Sequence, residues 1–365
     1  MRSPVREIFR KVDLSAICSF AGGYPSAETF PMEEIPGLSA RVLEKYGSKA
    51  LQYGATQGVP ELRQALSERY AVPPENIQIT TSSQQGIDVL TRILVDPGDV
   101  VLTTAPTYLG ALQSFRAYRA DVRCMETILD DMETCPDDRR VKFIYVIPDF
   151  NNPSGETMTL EQRQAVISLA EKLDCIIVED APYRELRYSG RSVTSIYDLA
   201  PERTVHLGSF SKIFAPGFRL GWMTGPQEVL EQVYVCKQAL DLCPPVFDQY
   251  LALEYLSSGA LDKNLQKTID LYRRRRDLML SLLDKYMPEG VSWTRPEGGL
   301  FLFLTLPEGM DTVALYDRAL AAGVAYVAGS FFYPDGSHRN TMRLNFSFID
   351  INRMEEGVRL LAQLL

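Results

Sequence analysis

The stretch that decides the fold is residues 76–104, NIQITTSSQQGIDVLTRILVDPGDVVLTT. It begins with a short apolar run that is typical of a buried strand. A helical pattern follows, and its apolar side chains recur on one side at Ile87, Leu90, Ile93 and Leu94. The DPGD sequence at residues 96–99 then breaks the pattern before VVLTT, a second strand-like run. This part of the chain therefore predicts a strand, a helix and a strand in series.

The same alternation continues toward the C-terminus. VKFIYVIPD at residues 141–149 predicts a strand, and a helix predicted over 160–173 begins with a capping box formed by Thr159 and Gln162. CIIVED, RTVHLGS and RLGWMTG predict three more strands before residue 226. Short apolar strands separated by helices are typical of a mostly parallel sheet that is covered on both faces. Beyond residue 260 the helical patterns lengthen and strands become fewer, which predicts a second, smaller domain.

Composition and charge argue against several classes of function. The 365-residue chain has a net charge of −9 at pH 7, so it lacks the broad basic field that attracts nucleic acid or anionic lipid. It has no signal-peptide pattern and no long apolar run, and we expect a cytoplasmic protein without membrane contact. Two histidines are too few for a histidine-rich metal centre, and no metal is expected. The four arginines at 273–276 point in different directions around a helix, and we expect them to be solvated.

Three loops that follow predicted strands carry suitable polar chemistry, and ligands of such sheets gather at this edge. After NIQITT, the SSQQ sequence at 82–85 suits a phosphate at a helix N-terminus, although plain helix capping is the favoured explanation when this motif is taken alone. The NNPSG sequence at 151–155 indicates only a turn when taken alone. The EDAPY sequence at 179–183 places carboxylates at a strand end, where a helix cap or a buried salt bridge would also explain one of them.

A fourth loop, GSFSKIFAPGFRLGW at residues 208–222, holds one lysine in a hydroxyl-rich turn. Ser209 and Lys212 fit S-x-x-K, the acylating motif of penicillin-binding proteins, but the companion motifs S-D-N and K-T-G are absent. The P-loop and G-x-G-x-x-G patterns are also absent, which argues against the simplest nucleotide sites. Lys212 could instead be the nucleophile, because its apolar neighbours would favour the neutral amine that a Schiff base needs. A surface lysine is the remaining alternative.

Eight motifs stand in the order found in one family. They are SFAGGYPSAETFP, LQYGATQGVPELR, SSQQGIDVL, PTYLGALQ, NNPSGETM, EDAPYRELRY, GSFSKIFAPGFRLGW and MRLNFSF. Together they resemble the class I/II aminotransferases, which are pyridoxal-phosphate enzymes of fold type I. The resemblance covers nearly the whole chain, and it is strongest to the 2-aminoadipate, kynurenine and aromatic aminotransferase group.

The resemblance implies an α/β fold with two domains. Residues 36–258 would form the large cofactor-binding domain, with a mostly parallel seven-stranded sheet between helices. Residues 259–365 would form a smaller α+β domain, to which the N-terminal segment 1–35 would also belong. Tyr53 is similar to a tyrosine that reaches the cofactor phosphate of the neighbouring subunit, so a homodimer with shared active sites is implied.

The resemblance also implies catalytic roles. Lys212 would carry the internal aldimine with pyridoxal 5′-phosphate and then move a proton between the substrate α-carbon and the cofactor. Asp180 would pair with the pyridinium nitrogen and keep it protonated. Tyr108 would stack on the ring, while Asn152 and Tyr183 would donate to its phenolic oxygen.

Phosphate and substrate contacts follow from the same resemblance. The phosphate cradle would comprise Ser83, Gln84, Ser209, Ser211 and Arg219, with Arg219 supplying a bidentate charge. Arg343 would clamp the substrate α-carboxylate beside Asn152 and Gly23, although a solvent-facing arginine is the alternative on the strand pattern. Ser82 departs from the family, because glycine is common at its position.

We therefore expect an aminotransferase that moves the amino group of an L-amino acid to a 2-oxo acid such as 2-oxoglutarate. The loop of residues 22–31 offers no cationic side chain for an acidic substrate. Aromatic residues occur instead, at Tyr24, Phe30, Tyr326, Phe331, Phe332 and Tyr333. They favour aromatic or bulky neutral donors, with 2-aminoadipate retained as a donor, unless these rings belong to the small-domain core.

Two other functions share this machinery. A C–S β-lyase uses the same lysine chemistry, since fold-level resemblance does not fix the reaction. The ligand-sensing domain of MocR-type regulators is a non-enzymatic alternative, but we do not expect its winged helix within the residues before Phe20.

Overall fold

The computed structural model describes residues 17–130 and 140–365. Its strands in chain order are β1 Cys18–Ser19, β2 Ile77–Thr80, β3 Val100–Thr103, β4 Asp121–Cys124, β5 Val141–Val146, β6 Ile176–Asp180, β7 Thr204–Ser209, β8 Gly221–Thr224, β9 Ser292–Trp293, β10 Phe301–Thr305, β11 Val324–Ala325, β12 Val327–Ala328 and β13 Thr341–Asn345. Its helices are α1 Ile35–Tyr46, α2 Pro60–Tyr70, α3 Ser82–Leu94, α4 Leu109–Ala117, α5 Met125–Asp130, α6 Leu160–Lys172, α7 Ile196–Leu199, α8 Gln227–Leu240, α9 Val246–Ser257, α10 Ala260–Tyr286, α11 Tyr316–Ala321 and α12 Ile351–Leu364. Residues 1–16 of the predicted N-terminal segment lie outside the described part.

The central sheet has seven strands in the order β2-β8-β7-β6-β5-β3-β4. β8 runs antiparallel to both of its neighbours, and the other adjacent pairs are parallel. This arrangement confirms the predicted mostly parallel seven-stranded sheet. The predicted capping box at the start of α6 is also confirmed, because the Thr159 side chain accepts from the Gln162 N–H and the Gln162 side chain accepts from the Thr159 N–H.

Helices cover both faces of this sheet. Successive residues of a strand point to opposite faces, so each strand contributes side chains to the core on both sides. On one face Val101 and Tyr145 pack into a core with residues of α3, α4 and α8. On the other face Val100 and Ile144 pack with residues of α5, α6 and α7. Most residues of the inner strands are therefore buried, whereas the edge strand β4 is partly exposed.

The C-terminal part contains a four-stranded antiparallel sheet in the order β12-β13-β10-β9. β1 pairs with β11 in parallel, and the Asn345 N–H donates to the Phe20 carbonyl at 2.9 Å. The loop that follows β1 is thereby held against β13. No helix within residues 17–130 and 140–365 combines the length and apolarity that crossing a membrane requires.

The arginine run of residues 273–276 lies on α10, but the prediction that all four side chains are solvated was wrong. Arg275 and Arg276 are buried. Arg275 Nη2 lies 2.6 Å from Glu28 Oε1, and Arg276 Nη1 donates to Ser189 Oγ and to the Pro296 carbonyl, each at 3.0 Å. A helix that is packed between other segments buries more than one side, and these acceptors come from distant parts of the chain.

The topology gathers several chain ends at one edge of the central sheet. β6 ends at Asp180 and β7 ends at Ser209, while α3 begins at Ser82 just after β2. β8 starts at this edge, where Gly221 pairs with both Thr80 and Ser209. Ligands of open α/β sheets bind beyond such strand ends.

Candidate active site

Lys212 lies in the turn that follows β7, at this edge of the sheet. Its Nζ atom donates to the Gly23 carbonyl at 3.3 Å and lies 5.9 Å from the centre of the Tyr183 ring. Burial lowers the pKa of Lys212 to about 8, and the positive charges of Arg219 and Arg343 act in the same direction. The amine therefore lies among site residues and not on the outer surface, and its neutral form is accessible near neutral pH.

Asp180 ends β6 with its carboxyl group buried at the same edge. Tyr145 Oη donates to Asp180 Oδ2 at 2.7 Å, whereas Oδ1 has no hydrogen-bond partner among the described residues. Burial raises the pKa of Asp180 to about 6, although the Tyr145 hydroxyl and the charge of Lys212 oppose this rise. A buried carboxylate oxygen without a donor is suited to a ligand that supplies an N–H group.

Glu179, the preceding residue, faces the other side of the sheet and is fully bonded. It accepts from the backbone N–H groups of Ile196 at 2.9 Å and Tyr197 at 3.1 Å, and its Oε2 lies 2.9 Å from His206 Nδ1. Its pKa is lowered, because these hydrogen bonds outweigh the effect of burial. Glu179 and His206 are therefore structural, and Asp180 is the carboxylate that faces the site.

Tyr145 is a site residue that the sequence analysis missed. Its ring is fully buried and packs edge-on against Phe115, with centroids 5.4 Å apart. The signal in the sequence was a tyrosine within an otherwise aliphatic strand, because a buried Tyr hydroxyl needs a polar partner. The partner itself could not be read from the sequence, since Asp180 is 35 positions away.

The residues predicted to hold a phosphate come together around the start of α3. Arg219 Nη2 donates to Ser82 Oγ at 2.6 Å, and a Cβ atom on Gly221 would lie 2.6 Å from the Ser83 nitrogen. Ser209 and Ser211 are buried beside them, and the Ser211 N–H donates to Ser209 Oγ at 3.2 Å. Backbone N–H groups at a helix start, two serines and an arginine are together suited to bind an anion.

The Gln84 side chain points elsewhere. Its Nε2 atom donates to Ser114 Oγ at 3.1 Å and to the Gly110 carbonyl at 3.3 Å, both on α4. Any contact of Gln84 with a phosphate would therefore use its backbone N–H. Tyr108 precedes α4, and its ring folds over the first turn of that helix, against Gly110.

Arg343 lies in β13 and is only 4% exposed, so the solvent-facing alternative was wrong. Nη1 donates to Asn152 Oδ1 and Nη2 to the Ala21 carbonyl, each at 2.8 Å. The guanidinium lies 4.3 Å from the Phe301 ring centre and 5.1 Å from that of Phe332. Burial lowers the pKa of Arg343 to about 10.

The surroundings of Arg343 leave room for an anion. Its Nε atom is buried without a hydrogen-bond partner, and the partners of its other nitrogens in the described part of the chain are neutral. Gly23 lies beside it, since a Cβ atom on Gly23 would be 4.0 Å from the guanidinium nitrogens. A buried cation without a carboxylate partner favours an acidic ligand.

Tyr183 completes this group, whereas Tyr53 does not join it. The Tyr183 ring meets Phe301 edge-on at 5.8 Å, and burial raises the pKa of its hydroxyl. Tyr53 is 79% exposed, and the structure records no contact between it and the other site residues of its own chain. The structure thus brings together every predicted site residue except Tyr53.

The side chains gathered at this edge of the sheet fit pyridoxal phosphate, the cofactor implied by the sequence resemblance. Asp180 Oδ1 can accept from a protonated ring nitrogen, and the Lys212 amine can bond an aldehyde. The cation of Arg219 and the start of α3 can hold a phosphate. Each part of the cofactor therefore has a chemical partner at this edge of the sheet.

Comparison with known proteins agrees with this chemistry. The family model "Aminotransferase class I and II" matches residues 26–361. The aromatic-amino-acid aminotransferase 1 of Thermococcus litoralis is 43% identical, over 99% of this chain and 91% of its own. The 2-aminoadipate transaminase of Thermus thermophilus is 36% identical, over 100% of this chain and 94% of its own.

A solved structure shows the same fold. The kynurenine aminotransferase of Pyrococcus horikoshii, crystallised with pyridoxamine phosphate, superposes with a TM-score of 0.95 at 42% identity. The match covers 100% of this chain and 94% of that one. These relatives favour the aminotransferase prediction over the C–S lyase and the regulator domain. The chain belongs to the class I and II aminotransferases of fold type I, and it is a pyridoxal-phosphate-dependent aminotransferase.

Proposed function

We propose that this enzyme takes its amino group from aromatic or bulky neutral L-amino acids and passes it to a 2-oxo acid such as 2-oxoglutarate. The observation that carries the proposal is the environment of Arg343, whose guanidinium lies between the rings of Phe301 and Phe332. The cation suits a substrate α-carboxylate, and the flanking rings make the adjoining surface apolar. The names of the Thermococcus and Pyrococcus relatives support aromatic donors, and the Thermus relative keeps 2-aminoadipate among the candidates.

The aromatic residues singled out in the sequence contribute unequally to this proposal. Phe332 lies on Arg343, and Tyr24 is 46% exposed with its ring edge-on to Phe348 at 5.8 Å. Tyr326 belongs to the core, because it is fully buried and its hydroxyl donates to the Thr312 carbonyl. Tyr333 stacks on His338 with centroids 4.3 Å apart. Phe332 and Tyr24 are therefore the rings that we place beside the substrate.

In this proposal each residue acts on a defined part of the bound molecules. Pyridoxal phosphate supplies an electron-withdrawing ring when bound. Lys212 Nζ would attach the cofactor covalently and carry the substrate α-proton, while Asp180 would keep the ring nitrogen protonated. Tyr108 would lie against the ring, and Asn152 and Tyr183 would donate to its phenolic oxygen. The phosphate would be held by Ser209, Ser211, Arg219 and the N–H groups of Ser83 and Gln84.

Substrate orientation depends on Arg343 and the loop that contains Gly23. The Gly23 carbonyl accepts from Lys212, and a Cβ atom on Gly23 would be in van der Waals contact with Phe301 and Arg343. The loop is held by Tyr272, whose hydroxyl accepts from the Ser26 N–H at 2.9 Å. We propose that this loop closes over the substrate carboxylate.

A homodimer with shared sites is part of the proposal. Tyr53 and Leu51 are largely exposed apolar side chains beside a surface groove that also includes Pro244, Pro245 and Val246. A second copy of the chain would cover these residues and bring Tyr53 to the neighbouring phosphate. Mixing Tyr53→Ala protein with Lys212→Ala protein should restore activity through one intact site per mixed dimer. A monomer in light scattering, or no recovery after confirmed subunit exchange, would contradict the shared site.

The domain division and the cellular location also remain proposals. We propose a large domain of residues 36–258 and a small domain of 259–365 joined by segment 1–35. The pairing of β1 with β11 supports this assignment of the N-terminal segment. A cytoplasmic location is part of the same proposal.

The test of donor specificity is a set of kcat/KM values with 2-oxoglutarate as acceptor. Phenylalanine, tyrosine, kynurenine, leucine and methionine should exceed 2-aminoadipate and aspartate, because burial of an unpaired carboxylate is unfavourable. Tyr24→Ala and Phe332→Ala should reduce this advantage. The control is Tyr326→Phe, which changes only a core residue. A clear preference for the two acidic donors would contradict the proposal.

A further inference from the structure

Ser82, the first residue of α3, has a backbone conformation that serine rarely adopts. Its φ angle is 66°, in the left-handed region that favours glycine. The residue is 3% exposed. A strained residue persists where its surroundings hold it, and such residues concentrate at binding sites.

The surroundings hold Ser82 from two sides. Gln85 Oε1 accepts from the Thr81 N–H at 2.8 Å and from Lys237 Nζ at 2.9 Å, which fixes the turn just before α3. On the other side Gly221 approaches so closely that a Cβ atom there would lie 2.7 Å from the Ser82 carbonyl carbon. The turn therefore cannot relax by a shift of its backbone.

The Ser82 hydroxyl is directed at the anion site. It accepts from Arg219 Nη2 at 2.6 Å, and within the described residues its own proton has no acceptor. Arg219 has no carboxylate partner in this part of the chain, since its other hydrogen bond goes to the Pro216 carbonyl. A hydroxyl can accept one hydrogen bond and donate another at the same time. Its proton is therefore available to an anionic oxygen beside Arg219.

We propose that the Ser82 hydroxyl is a further contact of the cofactor phosphate, donating to a phosphate oxygen while it accepts from Arg219. The inference rests on the proposed cradle and extends it to a residue that neither the fold nor the family requires. Glycine at this position would relieve the backbone strain but would lose the hydroxyl. Serine keeps the hydroxyl at the expense of that strain.

The test measures equilibrium binding of pyridoxal phosphate and of pyridoxal, which lacks the phosphate, to apoprotein prepared from the holoenzyme. Ser82→Ala removes the hydroxyl and keeps the strain, whereas Ser82→Gly removes both. Both variants should bind pyridoxal phosphate about tenfold more weakly, as expected for one hydrogen bond to a charged group. Their affinity for pyridoxal should stay within about twofold of that of the unaltered protein, because the effect depends on the phosphate.

Two further variants separate the possible causes. Ala71→Gly changes another left-handed residue, whose φ is 55°, at an exposed helix end away from the site. It should raise the melting temperature of the apoprotein without altering the affinity for either cofactor form. Ser82→Gly should likewise melt at a higher temperature than Ser82→Ala, while the two Ser82 variants share the same weakened affinity for pyridoxal phosphate. Arg219→Gln should weaken binding of pyridoxal phosphate more than either Ser82 variant does.

Each outcome bears on the inference. Unchanged affinity of Ser82→Ala for pyridoxal phosphate would overturn it, and so would an equal loss for pyridoxal phosphate and pyridoxal. If Arg219→Gln weakened binding while Ser82→Ala did not, the cradle would stand and only the role of Ser82 would fall. If Arg219→Gln bound pyridoxal phosphate normally, the proposed cradle itself would be wrong.

Discussion

Glu179 and Asp180 are neighbours on the same strand, but their surroundings differ in kind. The Glu179 carboxylate receives two backbone N–H groups and faces His206, and its pKa is lowered. Asp180 receives one hydroxyl and keeps one oxygen without a partner, and its pKa rises to about 6. One face of the sheet thus pairs its buried charge, and the other leaves a buried charge incompletely paired.

Comparison of the two faces gives a criterion for this protein: a buried ionic group with a paired counter-charge is structural, and one without it is functional. Lys237 is a second structural example, because its buried ammonium contacts Asp241 at 3.2 Å and Gln85 at 2.9 Å. Lys212 and Arg343 have only neutral hydrogen-bond partners among the described residues. Buried charges without paired counter-charges are unfavourable in the empty protein, so their presence indicates a ligand.

The largest expected effect is that of Lys212→Ala. Transamination should fall by at least about 10⁴-fold, because both the covalent attachment and the proton transfer depend on Nζ. In the unaltered protein, borohydride reduction followed by peptide mass spectrometry should find the cofactor attached to Lys212. The matched control is Lys237→Met, which should lower the melting temperature and leave the attachment on Lys212. Attachment to another lysine would remove the distinction drawn between Lys212 and Lys237.

Replacing each of the two carboxylates by its amide should affect a different property: the rate for Asp180 and the stability for Glu179. Asp180→Asn should lower kcat/KM by about 10²-fold or more, because an amide does not keep the ring nitrogen protonated. Glu179→Gln should instead destabilise the protein by roughly 3 kcal/mol, because it removes the carboxylate charge that faces His206 and that accepts from two backbone N–H groups. Chemical denaturation and steady-state kinetics check both. Normal turnover in Asp180→Asn would show that the assignment of the two faces is wrong.

The raised pKa of Asp180 also gives a stability prediction for the apoprotein. Its folded pKa of about 6 lies above the ordinary value of 3.8, so the folded state binds more protons between these values. The free energy of unfolding should therefore fall by up to about 3 kcal/mol as pH rises through this window. Asp180→Asn should remove that pH dependence in urea unfolding between pH 4 and 7. A slope that persists in the variant would assign it to another group.

The lowered pKa of Lys212 should appear in the rate at which apoprotein takes up pyridoxal phosphate. Only the neutral amine attacks a carbonyl, so the rate should rise about tenfold per pH unit and level off above about pH 8. Stopped-flow absorbance from pH 6 to 10 measures this profile. A rate that continues to rise to pH 10 would show that Lys212 titrates like an ordinary lysine.

The smallest effect is expected for Tyr145→Phe. Loss of the hydroxyl removes a hydrogen bond that lowers the pKa of Asp180, so that pKa should rise above about 6. The acid limb of the kcat/KM profile should move to higher pH, with a loss of only a few-fold near pH 7. Tyr326→Phe is the control, since it removes a buried hydrogen bond to the Thr312 carbonyl far from Asp180. An equal shift of the profile in both variants would contradict a specific role for Tyr145.

The sequence predicted the fold well where the signal was local. Alternating strands and helices and the capping box at Thr159 follow from short-range patterns, and the structure confirms both. Beyond residue 260 the sequence indicated two strands, whereas the structure also has β9, β11 and β12, each two residues long. The family order of motifs predicted the cofactor, and it predicted a set of site residues that the structure brings together except for Tyr53. Long-range contacts were not accessible in the same way. The burial of Arg275 depends on Glu28, which is 247 positions away, and the role of Tyr145 depends on the rotamer of Asp180.

Backbone conformation was also beyond the sequence. Ser82 was identified as a departure at a position where glycine is common, but its positive φ angle and its contact with Arg219 became visible only in the structure. The sequence also could not tell which aromatic residues lie beside Arg343. Tyr326 and Phe332 stand close together in the sequence and both are buried, yet only the Phe332 ring lies on Arg343, whereas the Tyr326 hydroxyl bonds the Thr312 carbonyl.

The connection between β7 and β8 has a consequence for protein engineering. It carries both Lys212 and Arg219, and its ends are fixed because Ser209 pairs directly with Gly221. The spacing of the amine and the guanidinium is therefore set by one short closed loop, and an inserted tag or a protease cut there would separate them. The exposed turn at residues 288–290 is a safer insertion point, because Gly290 has a positive φ angle and the turn lies outside the site. Circular permutants of this enzyme should likewise be opened at that turn and not between Lys212 and Arg219.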